Sequence, residues 1–381
     1  MRLQRNLFLF VLFISIHVHA QTDSSHLRIS LLTCGTGTEP WETFGHTAIR
    51  ITDSLAGTDN VYNYGTFNGY DDDFLIKFTR GKLLYYLSYY PYPHFLEEYR
   101  HSNRSVSEQL LNISGEDKID IYNFLINNAR DENKYYKYDF FFDNCATRIR
   151  DVFPKALGSA FQYPNVLPDG KLSYRNIINQ YFYRVHWQRF GVNILLGSKI
   201  DKIMSNEEIM FLPDFLESGV GRAVYRGRPI AQPSTVELEG SPRLPAGMNG
   251  PLISTCIIAL FTILGLVLPS LRGLGNAMIF FNLFLTGFIG CFIMVMWLAT
   301  DHQACANNFN LLWALPTNLV VAFAPKRNRD KYALVAIGLI FISLFLHILK
   351  VQELPIVELS PLLLALLFVM GALYKRSKPI K

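Results

Sequence analysis

Apolar and polar positions are distributed differently in the two parts of the chain. Before residue 250 they mostly alternate over short distances, whereas five apolar stretches follow it. The stretches cover residues 252–271, 277–299, 309–323, 332–349 and 359–374. Because a helix of about 20 apolar residues crosses the hydrocarbon core of a membrane, the pattern predicts a bundle of about five transmembrane helices. The third stretch is the shortest and contains Pro316 and Asn318, which favours a kinked or partly re-entrant segment.

The N-terminal part has the mixed pattern of an α+β domain. Four segments alternate as strands do: residues 26–33, 47–52, 61–67 and 83–90. Four strands so early in the chain predict one sheet. Three segments favour helices: residues 95–101, 114–129 and those from Asn144 onward. Ser114 is the predicted N-cap of the second helix, and the Gly-, Pro- and Arg-rich residues 219–250 indicate a linker or strands laid along the membrane surface.

The start of the chain has the layout of a signal peptide. A basic segment at residues 1–6 precedes an apolar run at residues 7–18, and Ala20 provides a cleavage site. An uncleaved N-terminal anchor is the alternative, and in either case the following domain is exported. The predicted division is a signal peptide at 1–20, a periplasmic domain at 21–240 and a transmembrane domain at 241–381.

The positions of Lys and Arg predict the orientation of the bundle. Three connections carry nearly all of its charge: the turn at Arg272, the loop 326–331 and the tail 375–381. The two other connections, residues 300–308 and 350–358, are poor in Lys and Arg. Because short cytoplasmic loops collect basic residues, we expect a multi-pass protein of the bacterial inner membrane with its first domain in the periplasm and its C-terminus in the cytoplasm.

Composition excludes one class of partner. Of the 381 residues, 50% are hydrophobic and 18% are charged, and the net charge is +5. The basic residues concentrate near the predicted membrane ends, and the exported part is close to balanced. Nucleic-acid binding is therefore not indicated, whereas the lipid bilayer is a predicted partner.

Two of the five cysteines belong to the exported domain, Cys34 and Cys145, and in an oxidising compartment they could form a disulfide. The sequence around Cys145, YDFFFDNCATR, favours a different interpretation. An aromatic run stops at Asp-Asn and a helix-compatible segment follows, which predicts the thiol in the first helical turn. There the helix dipole and free amides favour a thiolate nucleophile. A small buried residue at the helix start is the alternative.

A nucleophilic thiol needs a base, and His46 has the most informative position among the histidines of the exported domain. It follows Gly45 and begins a predicted strand, where a rigid sheet would hold the imidazole against the cysteine helix. A purely structural histidine is the alternative. Asp143, just before the helix, is predicted to cap it rather than to take part in the chemistry.

Several longer segments resemble known proteins: FGHTAIRI, VYNYGTF, FTRGKLLYYL, NRSVSEQLLN, YDFFFDNCATRIRD, LSYRNIINQY and MFLPDFL. An Asn-Cys pair opening a helix after an earlier Gly-His strand resembles the circularly permuted branch of the papain-like NlpC/P60 superfamily, which includes lecithin:retinol acyltransferase. The segments together resemble more closely the Lnb family, named for lipoprotein N-acylation, in which a periplasmic domain precedes a membrane domain.

This resemblance implies a permuted papain-like periplasmic domain and an acyltransferase that works through a thioester. Cys145 would take an acyl chain from a membrane phospholipid, with His46 as general base. The acceptor would be the α-amine of the lipidated N-terminal cysteine of a diacylated lipoprotein. The superfamily orients its histidine with a polar residue on the next strand, where Asn63 is the candidate and Tyr64 the fallback. The amide of Cys145 is the candidate oxyanion donor.

Four arginines in the family-like segments are candidates for binding lipid phosphate, because a guanidinium matches phosphate bidentately. They are Arg80, Arg104, Arg148 and Arg175. A structural salt bridge is the alternative for each of them.

The outer loop at residues 301–308 is rich in polar groups. His302 is a candidate to assist catalysis or to bind a head group, and an ordinary solvated loop is the alternative. Asp301, His302 and Cys305 are possible metal ligands, but no second cluster supports a metal site. Neither a metal nor a cofactor is predicted.

Three functional hypotheses remain open from the sequence. The first is a lipoprotein N-acyltransferase, and the second is a Cys-dependent peptidase or amidase that acts on cell-wall peptides. The third is a non-catalytic, membrane-tethered binding module in which Cys34 and Cys145 form a disulfide. Hydrolysis of a thioester needs water, whereas an apolar site favours transfer to an amine. Because a membrane bundle favours such an apolar site, it favours the first hypothesis.

Overall fold

The computed structural model describes residues 26–69, 72–168, 171–241, 246–324 and 329–377, and the predicted signal peptide lies outside these ranges. The strands are β1 (Leu27–Cys34), β2 (His46–Asp53), β3 (Thr58–Thr66), β4 (Leu84–Pro91), β5 (Val106–Leu110), β6 (Tyr135–Lys137), β7 (Phe161–Gln162), β8 (Val224–Tyr225), β9 (Arg228–Pro229) and β10 (Thr235–Leu238).

The α-helices of the N-terminal part are α1 (Phe74–Thr79), α2 (Tyr92–His101), α3 (Gly115–Asn128), α4 (Cys145–Leu157), α5 (Tyr174–Tyr181), α6 (His186–Leu195), α7 (Asn206–Ile209) and α8 (Pro213–Gly221). Those of the C-terminal part are α9 (Gly250–Val267), α10 (Arg272–Leu298), α11 (Thr317–Phe323), α12 (Arg329–Ile348) and α13 (Ile356–Ser377).

Seven strands form one antiparallel sheet in the order β10-β5-β1-β2-β3-β4-β6. The four strands predicted early in the chain are β1 to β4, and they lie side by side in that order, which confirms the prediction of one sheet. β1 is buried on both faces, because Ile29 and Leu31 point into one core while Leu32 and Cys34 point into another.

Helices cover both faces of this sheet. On one face α3 and α4 build the main core, to which they contribute Ile121, Leu125, Ile149 and Phe153. On the other face α2 packs Phe95 and Tyr99 against the strands. The N-terminal domain is therefore α+β, as the sequence pattern predicts. Its sheet between two helical layers fixes where the first residues of β2 and of α4 lie.

The starts of α3 and α4 are capped by side chains. Ser114 accepts a hydrogen bond from the amide of Asp117, as predicted. Asn144, rather than Asp143, caps α4: its Oδ1 accepts from the amide of Thr147 at 2.9 Å, and the Thr147 hydroxyl accepts from the Asn144 amide at 2.8 Å. The expectation for Asp143 was wrong because α4 begins at Cys145, so the cap position falls on Asn144. Asn is as good a cap as Asp.

Residues 219–250 are more than a linker. β8 and β9 from this segment form a small three-stranded sheet with β7, and β10 pairs with β5 to complete the edge of the main sheet. The chain then enters α9 at Gly250, whose N-cap is Asn249.

The C-terminal part is an all-α bundle with four helices long and apolar enough to cross a membrane within the described ranges. These are α9, α10, α12 and α13. The third apolar stretch, for which the sequence favours a kinked or partly re-entrant segment, is not one continuous helix. That stretch forms a short 3-10 helix, Phe309–Leu312, and the seven-residue helix α11. The chain breaks between them because Pro316 has no amide hydrogen to donate.

The broken segment nevertheless runs back along α10. Phe323, the last residue of α11, packs its ring against Phe280 and Phe284 near the start of α10, at centroid distances of 5.2 and 6.3 Å. Asn318 Nδ2 donates to the buried hydroxyl of Thr286 at 3.0 Å. From Asn318 to Phe323, α11 therefore runs back toward the end of the bundle at which α10 starts.

The N-terminal domain is joined to the bundle by buried hydrogen bonds. Asn308 Nδ2 donates to the carbonyl oxygens of Ile194 and Leu195, each at 2.9 Å, at the C-terminal end of α6. Asn310 is also fully buried, and its Nδ2 donates to Ile194 O at 3.0 Å. These side-chain amides satisfy carbonyl groups that the end of a helix leaves without intrahelical partners.

Candidate active site

Cys145 is the first residue of α4 and is almost completely buried, with 7% of its surface exposed. The amides of Thr47 and Ala146 donate hydrogen bonds to its sulfur. Thr47 belongs to β2, so the sheet and the helix start both direct amide donors at the same atom. This arrangement stabilises a negative charge on the sulfur.

His46, the first residue of β2, is hydrogen-bonded to the Cys145 thiol. Its Nε2 lies 2.6 Å from Oδ1 of Asn63 on β3. Because an amide oxygen only accepts, Nε2 carries the proton in this contact. Nδ1 is then the ring nitrogen left for the sulfur, and Asn63 orients the imidazole. The structure thus brings together the three residues that the sequence predicts as catalytic.

Gly65 lies beside these side chains at an irregularity of the sheet. The register of β3 against β4 shifts between Tyr64 and Thr66, and Gly65 adopts φ +99° at this irregularity. A Cβ atom on Gly65 would lie 3.8 Å from the Cys145 Cβ and 3.9 Å from the His46 Cε1. These are ordinary contact distances, so the positive φ, rather than a lack of space, is what favours Gly beside the two groups.

The electrostatic environment favours the ion pair of thiolate and imidazolium. Burial is the largest influence on the pKa of Cys145 and raises it, but His46 and the two amides outweigh it, and the net pKa lies below the usual value. Burial also acts most strongly on His46 and lowers its pKa, but the Cys145 charge and the hydrogen bonds to Cys145 and Asn63 raise it above the usual value. Each group therefore stabilises the charged form of the other.

Two further side chains, Tyr90 and Glu98, orient Asn63, and the sequence did not reveal this role. Asn63 Nδ2 donates to the Tyr90 hydroxyl at 3.3 Å, and that hydroxyl donates to Glu98 at 3.1 Å. Since the Tyr90 oxygen accepts from Asn63, the amide nitrogen faces Tyr90 and the amide oxygen faces His46. In the β3–β4 register Asn63 is opposite Ser88, two residues from Tyr90, so the contact is the diagonal one that the pairing makes available.

Cys34 lies close to this site but forms no disulfide with Cys145, and both are free thiols. It is paired with His46 across β1 and β2, is buried, and accepts a hydrogen bond from the Tyr99 hydroxyl. Burial raises the pKa of Cys34 to about 12, so it stays a neutral thiol. The structure therefore lacks the bond on which the binding-module hypothesis rests.

The Cys-His pair opens into a cavity of about 770 Å³. Aromatic and aliphatic side chains dominate its wall, among them Phe44, Phe67, Phe78, Leu196 and Phe211. Residues of the bundle also contribute, because His302, Gln303, Ala304 and Cys305 line the same cavity. The volume is typical of a ligand site, and the lining suits an apolar ligand.

Of the four arginines predicted to bind lipid phosphate, only Arg104 lines the cavity. It is buried, and it donates to the Gly35 carbonyl at 2.8 Å and to Glu42 at 3.3 Å. Arg80 is exposed just after α1 and outside the cavity wall. Arg148 pairs with Asp143 at 2.6 Å and stacks on Tyr136.

Arg175 is completely buried. Its guanidinium forms an ion pair with Asp201, with Nε 2.8 Å from Oδ1, and donates to the carbonyl oxygens of Asn193, Leu196 and Gly197. These contacts match a structural salt bridge, which was the alternative to phosphate binding, because none of the guanidinium donors faces a cavity where a phosphate would bind.

The outer loop 301–308 is packed against the periplasmic domain rather than simply solvated. His302 Nε2 lies 3.1 Å from the carbonyl oxygens of both Phe78 and Thr79, and Ala304 and Cys305 are buried. The loop is thus a contact between two parts of the chain, which the sequence could not reveal because these partners are remote in sequence. No group of three His, Cys, Asp or Glu side chains in the described part of the chain is arranged to hold a metal ion.

Two segments of the chain match protein-family models. Residues 16–180 match the Lnb N-terminal periplasmic domain, and residues 245–378 match the Lnb transmembrane domain. Together they cover more than three quarters of the chain, with Cys145 and His46 in the first segment and His302 in the second. No match is found among curated proteins or among solved structures.

Proposed function

The chain belongs to the Lnb family, and from this premise we propose that it is a thiol-dependent acyltransferase that N-acylates lipoproteins. It is a bacterial inner-membrane protein with a periplasmic N-terminal domain and a transmembrane domain. The proposed donor is a membrane phospholipid, and the proposed acceptor is the α-amine of the lipidated N-terminal cysteine of a diacylated lipoprotein. The permuted papain-like fold and a cytoplasmic C-terminus belong to the same proposal.

In the first half-reaction the Cys145 thiolate attacks the ester carbonyl carbon of the phospholipid. The amide of Cys145 is the candidate donor to the oxyanion that forms. The carbon–oxygen ester bond then breaks, and the His46 imidazolium donates its proton to the departing oxygen of the lysophospholipid. The products are a thioester on Cys145 and a neutral His46.

In the second half-reaction the neutral amine of the lipoprotein attacks the thioester carbonyl. His46 takes the proton that the nitrogen loses, and the carbon–sulfur bond breaks to release the Cys145 thiolate. An amide has formed, and the thiolate and imidazolium are regenerated together. Asn63 acts throughout as a positioning residue, because it holds the imidazole through Nε2.

The observation that best supports transfer over hydrolysis is the apolar cavity beside the Cys-His pair. A wall of aromatic and aliphatic side chains suits an acyl chain and keeps water away from the thioester. The cavity is also lined by a loop that follows the membrane helix α10, which is where both lipid substrates would be found.

The decisive experiment is mass spectrometry of the N-terminal peptide of a model lipoprotein. The lipoprotein is produced with the intact protein or with Cys145→Ala in a host that lacks its own N-acyltransferase. We expect a third acyl chain only with the intact cysteine. A lipoprotein that stays diacylated in both cases, although Cys145 remains reactive, would contradict the proposal and direct attention to peptidase or amidase activity on cell-wall peptides.

A further inference from the structure

Helix α1 is unusual because it is short, apolar and turned outward. None of its side chains is buried, and Leu75, Ile76 and Phe78 are 71%, 59% and 50% exposed. Large apolar side chains clustered in this way on a water-facing helix carry a free-energy cost unless something covers them. The helix therefore presents a surface for an apolar partner.

The attachment of α1 identifies where that partner lies. The carbonyl oxygens of Phe78 and Thr79 are contacted by His302, and the Arg80 carbonyl accepts from the Asp301 amide at 2.9 Å. These residues follow directly after α10, a helix of membrane-spanning length that ends at Leu298. α1 is thus attached to the point where the chain leaves the membrane.

The backbone contact at this point is close. Gly81 adopts φ +66°, and a Cβ atom there would lie 3.2 Å from the Asp301 carbonyl carbon and from the His302 amide nitrogen. A side chain at this position would push the two segments apart. The end of α1 is therefore set directly against the loop that follows α10.

The cationic side chains beside α1 and the cavity that contains Cys145 are also consistent with a position of α1 at the membrane. Arg80 and Lys82 are exposed just after the apolar turn, where cationic side chains reach lipid phosphates while apolar neighbours enter the acyl region. Phe78 and Gly81 also line the cavity that contains Cys145. Phe67 and Phe78 of this wall are linked by the ring of Phe74, with successive centroids 5.5 and 6.0 Å apart.

We propose that α1 is inserted into the outer half of the bilayer and forms the entrance by which an acyl chain passes from the membrane to Cys145. The occupant of its exposed apolar surface is the phospholipid of the bilayer. The insertion stands on the contacts of α1 alone, whereas the role as an entrance rests on the proposed acyltransferase function.

Photo-crosslinking tests the insertion without any requirement for activity. The full chain is reconstituted in vesicles of phosphatidylethanolamine and phosphatidylglycerol, with p-benzoylphenylalanine in place of Leu75. Leu55 is the matched control, because it is 79% exposed and lies beyond the end of β2 opposite to His46. We expect a phospholipid adduct at position 75 and none at position 55. No lipid adduct at position 75, or an adduct to a protein, overturns the proposal.

The entrance is tested by a double substitution, Leu75→Asp with Ile76→Asp, against Leu55→Asp. We expect acyl transfer from bilayer phospholipid to slow at least tenfold in the double variant only. Alkylation of Cys145 by iodoacetamide, read on the Cys145 peptide, should stay within twofold in both variants. Transfer at the normal rate in the double variant overturns the entrance. If the intact chain transfers no acyl group at all, the proposed function fails, and the crosslink still decides the insertion.

Discussion

Asn63 Oδ1 accepts a hydrogen bond from His46 Nε2 across 2.6 Å between two neighbouring strands. This bond fixes both the orientation and the tautomer of the imidazole. We expect Asn63→Ala to lower the acyl-transfer rate by roughly 10- to 100-fold, because misplacement of a catalytic group by about 1 Å has effects of that size. Single-turnover thioester formation measures the change, and an unchanged rate would show that His46 is held by other contacts.

Tyr90 should act through Asn63 rather than on the substrate. In Tyr90→Phe the Asn63 amide loses its acceptor, so its orientation is no longer fixed, and we expect a several-fold slower reaction with a shifted pH profile. Tyr89→Phe is the control, since Tyr89 is the preceding residue of β4 and stacks on Tyr62 instead. Equal behaviour of the two variants would argue against a positioning role for Tyr90.

The pH dependence of Cys145 alkylation should reveal the ion pair. The pKa of Cys145 is lowered, so the thiolate is present from a pH below the ordinary thiol value of about 8.5. His46→Ala removes the imidazolium, whereas burial still raises the pKa. The rise in alkylation rate should therefore move to higher pH in His46→Ala. A profile that stays in place would mean that the amides alone stabilise the thiolate.

Gly65→Ala should affect the site more than the fold. Its φ of +99° is strained for Ala by ~1–3 kcal/mol, and the backbone shift acts on Cys145 and His46 within 4 Å. Gly57→Ala is the control, because Gly57 also has a positive φ, +65°, but a Cβ there would have no neighbour within 4 Å. We expect both variants to lower the unfolding midpoint and only Gly65→Ala to slow the alkylation of Cys145. Equal alkylation rates in the two variants would remove the special role of Gly65.

Arg175→Ala should damage folding rather than catalysis. The substitution leaves Asp201 buried without its ion-pair partner, and removing one member of a buried pair costs roughly 3–5 kcal/mol. Thermal unfolding and the yield of full-length protein measure the effect. A stable variant that lacks activity would instead indicate that Arg175 binds substrate.

Local sequence signals predicted much of the catalytic centre. The Gly45-His46 strand start and the Asn144-Cys145 helix start are encoded within a few residues, and the sheet brings them together once β1 to β4 pair in order. The pairing of β2 with β3 favours Asn63 over Tyr64. The side chain of Asn63 contacts His46, whereas the side chain of Tyr64 points into the main core. Asn63 could therefore be named, although only the pairing distinguishes it from its neighbour.

Contacts between segments distant in sequence could not be predicted in this way. Arg175 meets Asp201 only after α5 and α6 have packed, and His302 meets Phe78 across 224 residues. Asp143 and Asn144 are both good caps, so composition could not decide which of them caps α4. The third apolar stretch had the composition of a membrane segment, but it forms two short helices with Pro316 between them.

The asparagines that cap the C-terminal end of α6 limit where the chain can be divided into fragments. Asn308 and Asn310 belong to the membrane part, yet they complete the backbone hydrogen bonding of a periplasmic helix. A fragment cut at the boundary near residue 240 would expose those carbonyl groups together with the apolar surface around them. We therefore expect the periplasmic half to be a unit of sequence that folds poorly by itself, and a soluble version of it to need replacements for the caps that the membrane half supplies.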